Sequence, residues 1–320
     1  MSTPKRRLPR TRQVVFGLLA ILVLVMAGAK LYDSYTLSRL TIDFPPPGQF
    51  VAIESVAPGV PLKMHYLCQG HAEPTLVLEA GFGGGEIDWT PIMPTLAQHN
   101  RVCAFDRLGQ DWSDAAPTPR TFSTAADELH SALTALGIQN PVVVGHSLGG
   151  AVVQIYAAKF PVRGVVLVEG LSRDVATPVV ARLGSYRALE FLTNLGMLRP
   201  IGSFMAHPAY SSDLRTVMVA LRSGSTALIR VSDEGAIAAQ SLVAELSVAE
   251  PQITAPMLAI GAEKSDVPDL PIGAFDAALQ SLAQRKGGTY VQIAGAGHYV
   301  MADHPQEVVA AMLGWLSKLP

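Results

Sequence analysis

The stretch VVVGHSLGGAVVQ, Val142 to Gln154, constrains this chain more than any other. An apolar, β-branched run with strand character passes through a serine into an apolar run with helical character. A reversal that tight leaves no room for side chains beside the turn, and Gly145, Gly149 and Gly150 answer that need. A serine held there presents its hydroxyl above the end of the strand, so Ser147 is the candidate nucleophile. In a chain with 28 glycines the bare pattern is weak. The strand before it and the helix after it are what set Ser147 apart from an ordinary turn serine.

The surrounding chain continues the alternation. FVAIESV, PLKMHYLCQG, TLVLEAG and RVCAFD read as short strands separated by Gly, Pro and polar turns. STAADELHSALTALG reads as a helix with Leu129, Leu133 and Leu136 on one face and Ser123 or Thr124 as its N-cap. After the serine come the strand RGVVLVEG and, later, APMLAIGAEKSD, a helix over 275–284, the strand TYVQIAGAGH and a last helix with Val308, Val309, Met312, Leu313 and Leu316 on its apolar face. Continuous apolar strands alternating with helices predict a mostly parallel sheet covered on both faces. Residues 171–254 break the rhythm and read as a helical cap, leaving 51–170 and 255–320 as the core. Leucines of the cap, with Met197, Phe204 and Met205, are candidates for an apolar acyl pocket or for a small core of their own.

The N-terminus carries the localisation signal. Five Lys and Arg residues precede Val14–Ala29, sixteen residues without a polar side chain. Residues 1–32 read as a basic end and a membrane anchor, with Lys30 snorkelling and Tyr32 at the interface. The alternative is a cleaved secretory signal ending at Ala27-Gly28-Ala29. Either reading exports the remainder, placing the body on the extracytoplasmic side of the cell membrane or, after cleavage, in a secreted or periplasmic form. Residues 33–50, with three consecutive prolines at Pro45–Pro47, are expected to be a stiff spacer. The 24 basic and 26 acidic residues leave a net charge of −2 with no basic stripe beyond the first residues, which argues against a nucleic-acid partner. No CxxC or HExxH pattern points to a metal, and no cofactor is expected.

A serine hydroxyl needs a base, and the base needs an orienting carboxylate. Of the eight histidines, His298 alone lies in a glycine-rich turn just after a late strand, in AGAGHYV. Asp266, in IGAEKSDVP, follows the strand after the cap and is the expected acid, ahead of Asp174 and of Glu263 in the same loop. An acyl-transfer site also needs N–H donors for the developing oxyanion. Leu148, the residue after the nucleophile, offers one backbone N–H, and Phe82, in the glycine-rich EAGFGGGEIDW, offers the second.

Taken in order, EAGFGGGEIDW, RVCAFDRLGQDWSD, VVVGHSLGG, IGAEKSDVP and GAGHYVMADHP resemble the α/β-hydrolase superfamily of serine esterases and lipases over about residues 50–170 and 255–320. The resemblance implies the α/β-hydrolase fold, an α/β architecture with a cap inserted before the acid-bearing strand, and a serine hydrolase cleaving a small-molecule ester or lipid-like substrate. Thioesterase, amidase, acyltransferase and peroxidase chemistry on the same triad, and a non-catalytic binding relative, are the alternatives. Two departures stand out. Ala80-Gly81 replaces a common His-Gly before the oxyanion residue, and Asp111 replaces a glycine in DRLGQDWSD, where an aspartate is expected to tolerate the left-handed region. The resemblance also implies that the second strand runs antiparallel beside the fourth, which brings Cys68 and Cys103 together as an expected disulfide in the oxidising compartment.

Overall fold

The structure, a computed structural model, describes residues 10–54, 61–116, 120–199 and 206–319. Chain order begins with a long helix, α1 (Arg10–Asp43), then β1 (Gln49–Ile53), β2 (Leu62–Gln69), β3 (Leu76–Glu79), α2 (Met93–Leu96), β4 (Val102–Phe105), α3 (Phe122–Ala135), β5 (Val142–His146), α4 (Leu148–Lys159) and β6 (Gly164–Val168). The cap helices follow: α5 (Arg173–Ser185), α6 (Glu190–Asn194), α7 (Ser212–Arg222), α8 (Ser225–Ile237) and α9 (Val243–Gln252). The chain then returns to the sheet with β7 (Met257–Ala262), α10 (Ala274–Arg285), β8 (Thr289–Ile293), α11 (Val300–Asp303) and α12 (Pro305–Leu316).

These strands form one eight-stranded sheet in the order β1-β2-β4-β3-β5-β6-β7-β8. β1 pairs antiparallel with β2 and β2 antiparallel with β4, while every later pairing is parallel. Strands β3 to β7 are buried along their whole length, as continuous apolar runs in a sheet covered on both faces must be. The period of two divides them between two cores: Val143 packs with α3, α4 and α10 residues on one face, Val142 and Val144 with α2 and α12 residues on the other. Burial of those large apolar side chains is the main force holding the layers together. β5 lies at the centre, so the residue that follows it stands at the carboxyl end of the sheet, where α/β folds place their ligands.

The antiparallel register sets Cys68 opposite Cys103, and the two form a disulfide with Cα atoms 4.1 Å apart. Two expectations are corrected. Residues 33–50 are not a spacer: α1 continues to Asp43, and only the five residues 44–48 separate it from β1. The prolines do no more than end the helix, because a residue before proline is driven out of the helical region. From Met26 onward one face of α1 is at least partly covered, through Ala29, Asp33, Leu37, Leu40 and Phe44, at the three-to-four-residue spacing of a packed helical stripe. The N-cap of α3 is Thr121, whose hydroxyl accepts from the Thr124 amide at 3.1 Å, in place of Ser123 or Thr124. Phe204 and Met205 lie outside the described residues.

Candidate active site

Ser147 occupies the turn between β5 and α4 with φ 49° and ψ −121°, a conformation that L residues rarely adopt and that needs surrounding structure to hold it. Its amide donates to the Glu169 carbonyl at 3.0 Å, and its own carbonyl accepts from the Gly150 and Leu171 amides at 2.9 and 2.7 Å. The glycines are required by close approach: a Cβ on Gly145 would lie 2.4 Å from the Gly149 carbonyl oxygen, and one on Gly149 would lie 2.3 Å from that of Glu79.

His298 reaches the serine from the turn after β8. Its Nε2 lies 3.0 Å from Ser147 Oγ, which donates to it. Its Nδ1 donates to Glu169 Oε2 at 3.1 Å. The carboxylate on the histidine is thus Glu169, at the end of β6, and not Asp266. Glu169 is fully buried, and it also accepts from the Ala262 amide at 2.8 Å and from the Ser265 hydroxyl. The loop after β7 therefore supports this carboxylate with a serine one residue short of Asp266. Asp266 is exposed at the rim of the cavity, Asp174 pairs with Arg285 at 2.8 Å, and Glu263 accepts from the Gly295 amide. Glu169 has φ 46°. It sits in VEG immediately after a buried strand, where a charged residue interrupts an apolar run; that interruption is the signal the sequence offers.

His146 has a separate part. Its ring is buried, and its Nε2–H donates to the His298 carbonyl at 3.0 Å. Burial, helped by the neighbouring His298 ring, pushes its pKa well down and keeps it a neutral donor that steadies the backbone at His298.

Ser147, His146 and His298 line a cavity of about 310 Å³ at the carboxyl end of the sheet. Its apolar wall is made by Phe82, Leu148, Leu171, Val179, Leu183 and Tyr186. Met197 is not part of that wall, and Leu189 and Leu192 face outward. Leu148 is the first residue of α4, whose amide has no intrahelical acceptor. The Phe82 amide has no backbone acceptor among the described residues, while the Phe82 ring stacks on Tyr186 of the cap at 5.9 Å.

The loop carrying Phe82 is held from below by Arg107, which is buried and donates to the Ala80 and Gly81 carbonyls at 2.5 and 2.7 Å. Because a trans peptide sets its C=O and N–H in opposite directions, an Arg107 bond to the Gly81 carbonyl turns the Phe82 N–H away from the arginine. The guanidinium is neutralised by Glu79 at 3.0 Å and by Glu234 of α8 at 2.9 Å, and Glu234 accepts from the Gly83 amide as well. A second buried arginine, Arg222 of α7, bonds Asp88 at 2.9 and 3.0 Å and Asp111 at 2.6 and 3.0 Å. Asp111 takes φ 34°, so the turn survives the loss of its glycine, and the new carboxylate ties core to cap. Neither arginine clamp was legible in the sequence, because each joins an arginine to a carboxylate more than a hundred residues away, Arg107 to Glu234 and Arg222 to Asp111.

A family model described as alpha/beta hydrolase fold matches residues 74–305. The "Putative carbamate hydrolase RutD" of Pantoea ananatis is 26% identical over 258 residues, 76% of this chain and 88% of that protein. The protein of the same name from Stutzerimonas stutzeri is 42% identical over 93 residues, and there the match spans only 35% of the relative's length. Among solved structures, a probable hydrolytic enzyme from Pseudomonas aeruginosa superposes with a TM-score of 0.69 at 21% identity, covering 86% of this chain and 95% of that one. The chain belongs to the α/β-hydrolase fold family.

Proposed function

We propose that the protein is a serine hydrolase that cleaves carboxylic esters through an acyl-enzyme. The observation that carries this reading is the unbroken chain of contacts from Ser147 Oγ to His298 Nε2 and from His298 Nδ1 to Glu169. Ser147 Oγ adds to the ester carbonyl carbon as its proton passes to His298 Nε2, and Glu169 stabilises the imidazolium. The carbonyl oxygen, now anionic, is held by the Phe82 and Leu148 amides. Collapse expels the alcohol, which takes the proton from His298, and leaves the acyl group on Ser147. A water molecule, deprotonated by His298, repeats the addition, releases the carboxylic acid and returns the proton to Ser147. The apolar wall formed by Leu171, Val179 and Leu183 suits an apolar acyl group, and the N-terminal helix holds the enzyme at the membrane with its body on the extracytoplasmic side.

A carbamate is the second reading, favoured by the match along 88% of the Pantoea ananatis protein whose name gives that substrate class. The same addition and collapse serve a carbamate carbonyl. A fluorophosphonate probe should label wild-type protein and not Ser147→Ala, and a panel of esters of graded acyl length beside carbamates should show the esters turning over faster. Absence of labelling in folded wild-type protein would overturn the serine-hydrolase reading, and preferential turnover of carbamates would overturn the ester.

A further inference from the structure

We propose that the cap of this enzyme sits in the lipid–water interface of the membrane crossed by α1, with the outer side of α6 in the bilayer, and that the cavity receives membrane-resident acyl esters from there. The substrate class rests on the serine-hydrolase reading above; the placement of the cap rests only on α1 being the membrane-spanning element.

The length of the exposed part of α1 carries the inference. Every residue from Thr11 to Val25 is exposed, and the apolar run begins at Val14. The twelve residues Val14–Val25 rise only about 18 Å, and even a start at Arg10 gives about 24 Å, short of the ~30 Å hydrocarbon core. From Val14, about 20 residues are needed, which carries the span to Asp33. The folded body is already packed on α1 within that stretch. A Cβ on Gly196 of the cap would meet the Ala29 carbonyl oxygen at 2.9 Å and Asp33 Cβ at 2.8 Å. The helix therefore cannot complete its crossing without bringing this part of the cap to the membrane surface.

The chemistry at that level agrees. Asp33 would be costly at the edge of a bilayer, but it is fully buried against protein, accepting from Arg199 Nε at 2.9 Å and from the Ser225 amide at 3.1 Å. The segment just before Gly196 carries Leu189, Phe191 and Leu192, of which Phe191 is 70% exposed. On α1, next to the Ala29 and Asp33 positions that meet Gly196, Leu31, Tyr32 and Tyr35 are exposed too, and tyrosines are at home in the interface. Arg187 and Glu190, the charged residues of the stretch from Tyr186 to Leu192, pair at 3.8 Å. Tyr186, which opens this same segment, lines the cavity and stacks on Phe82, so the turn of chain that meets lipid on one end walls the active site on the other.

The test uses full-length protein in phospholipid vesicles. With phospholipids brominated on the acyl chain, the added emission of Phe191→Trp is expected to be quenched relative to unbrominated vesicles, while wild-type emission changes little. In the same vesicles Phe191→Asp should turn over a long-chain ester dissolved in the bilayer about tenfold more slowly or worse, and a water-soluble short-chain ester at an unchanged rate. Unquenched Phe191→Trp emission in protein that floats with the vesicles, or failure to float at all, would overturn the interfacial placement. Quenching with equal turnover of the bilayer ester by both proteins would overturn the substrate route. Failure of the serine-hydrolase reading would show separately, as loss of fluorophosphonate labelling with the quenching intact.

Discussion

Glu169 Oε2 accepts from His298 Nδ1 at 3.1 Å, and the same residue's carbonyl accepts the Ser147 amide at 3.0 Å. One residue at the end of β6 thus holds both the proposed base, through its side chain, and the proposed nucleophile, through its backbone. Glu169→Gln is expected to lower kcat about a thousandfold or more, because an amide no longer stabilises the imidazolium or selects its tautomer. Asp266→Asn should stay within a fewfold of wild type. Steady-state kinetics on both variants decide; a crippled Asp266→Asn beside an active Glu169→Gln would refute the assignment.

Arg107 and Glu234 should act on the rate through the loop that carries Phe82. Glu234→Ala removes the cap's hold on the guanidinium and on the Gly83 amide, freeing the Gly81–Phe82 peptide to turn. Loss of one oxyanion donor costs on the order of 100-fold in rate, so kcat is expected to fall between about 10- and 100-fold with little change in KM. Affinity for a boronic acid that mimics the tetrahedral adduct should fall in parallel. A change confined to KM would show that the clamp serves substrate binding alone.

Glu86 makes stability depend on pH. Burial pushes its carboxyl up from 4.5 to about 8, and Asp106, Asp111 and Asp88 add to the shift. A carboxyl whose folded pKa is raised contributes its stability in full below the unfolded value of 4.5, and loses it as pH rises towards about 8. Glu86→Gln has no such proton to lose. Its denaturation midpoint, compared with wild type at about pH 5 and about pH 9, should gain on wild type as pH rises. A gap that is constant or that closes at high pH would remove Glu86 from the account.

The Cys68–Cys103 disulfide closes a separation of 35 residues. Restricting the unfolded chain to that extent is worth roughly 3 to 4 kcal/mol in the chain-entropy view. Cys68→Ser with Cys103→Ser should lower the denaturation midpoint without lowering kcat, since neither sulfur lines the cavity. Intact-mass analysis of exported protein, alkylated without reductant, should find no modified cysteine. Two alkylated thiols would show the bridge to be absent in the cell.

What the sequence determined by itself was local or set by strand register. The passage from a buried β-branched strand through Gly145 and Ser147 into an apolar helix admits one kind of turn, and a histidine in a glycine-rich turn after a late strand has one evident partner. The pairing of Cys68 with Cys103 followed once the resemblance put β2 beside β4, because the register of two strands leaves facing residues no freedom. The identity of the acid was different. Glu169 and Asp266 both stand in loops at the carboxyl end of the sheet, after adjacent strands, and only the packed positions of β6, β7 and the His298 turn decide which carboxylate comes within hydrogen-bonding distance. The continuation of α1 past Tyr32 was likewise decided in three dimensions. Residues 33–43 alternate a few leucines with polar residues, too thin a stripe to announce a helix, and it is the cap, through Arg199, Ser225 and Gly196, that supplies the surface against which the helix packs at Asp33.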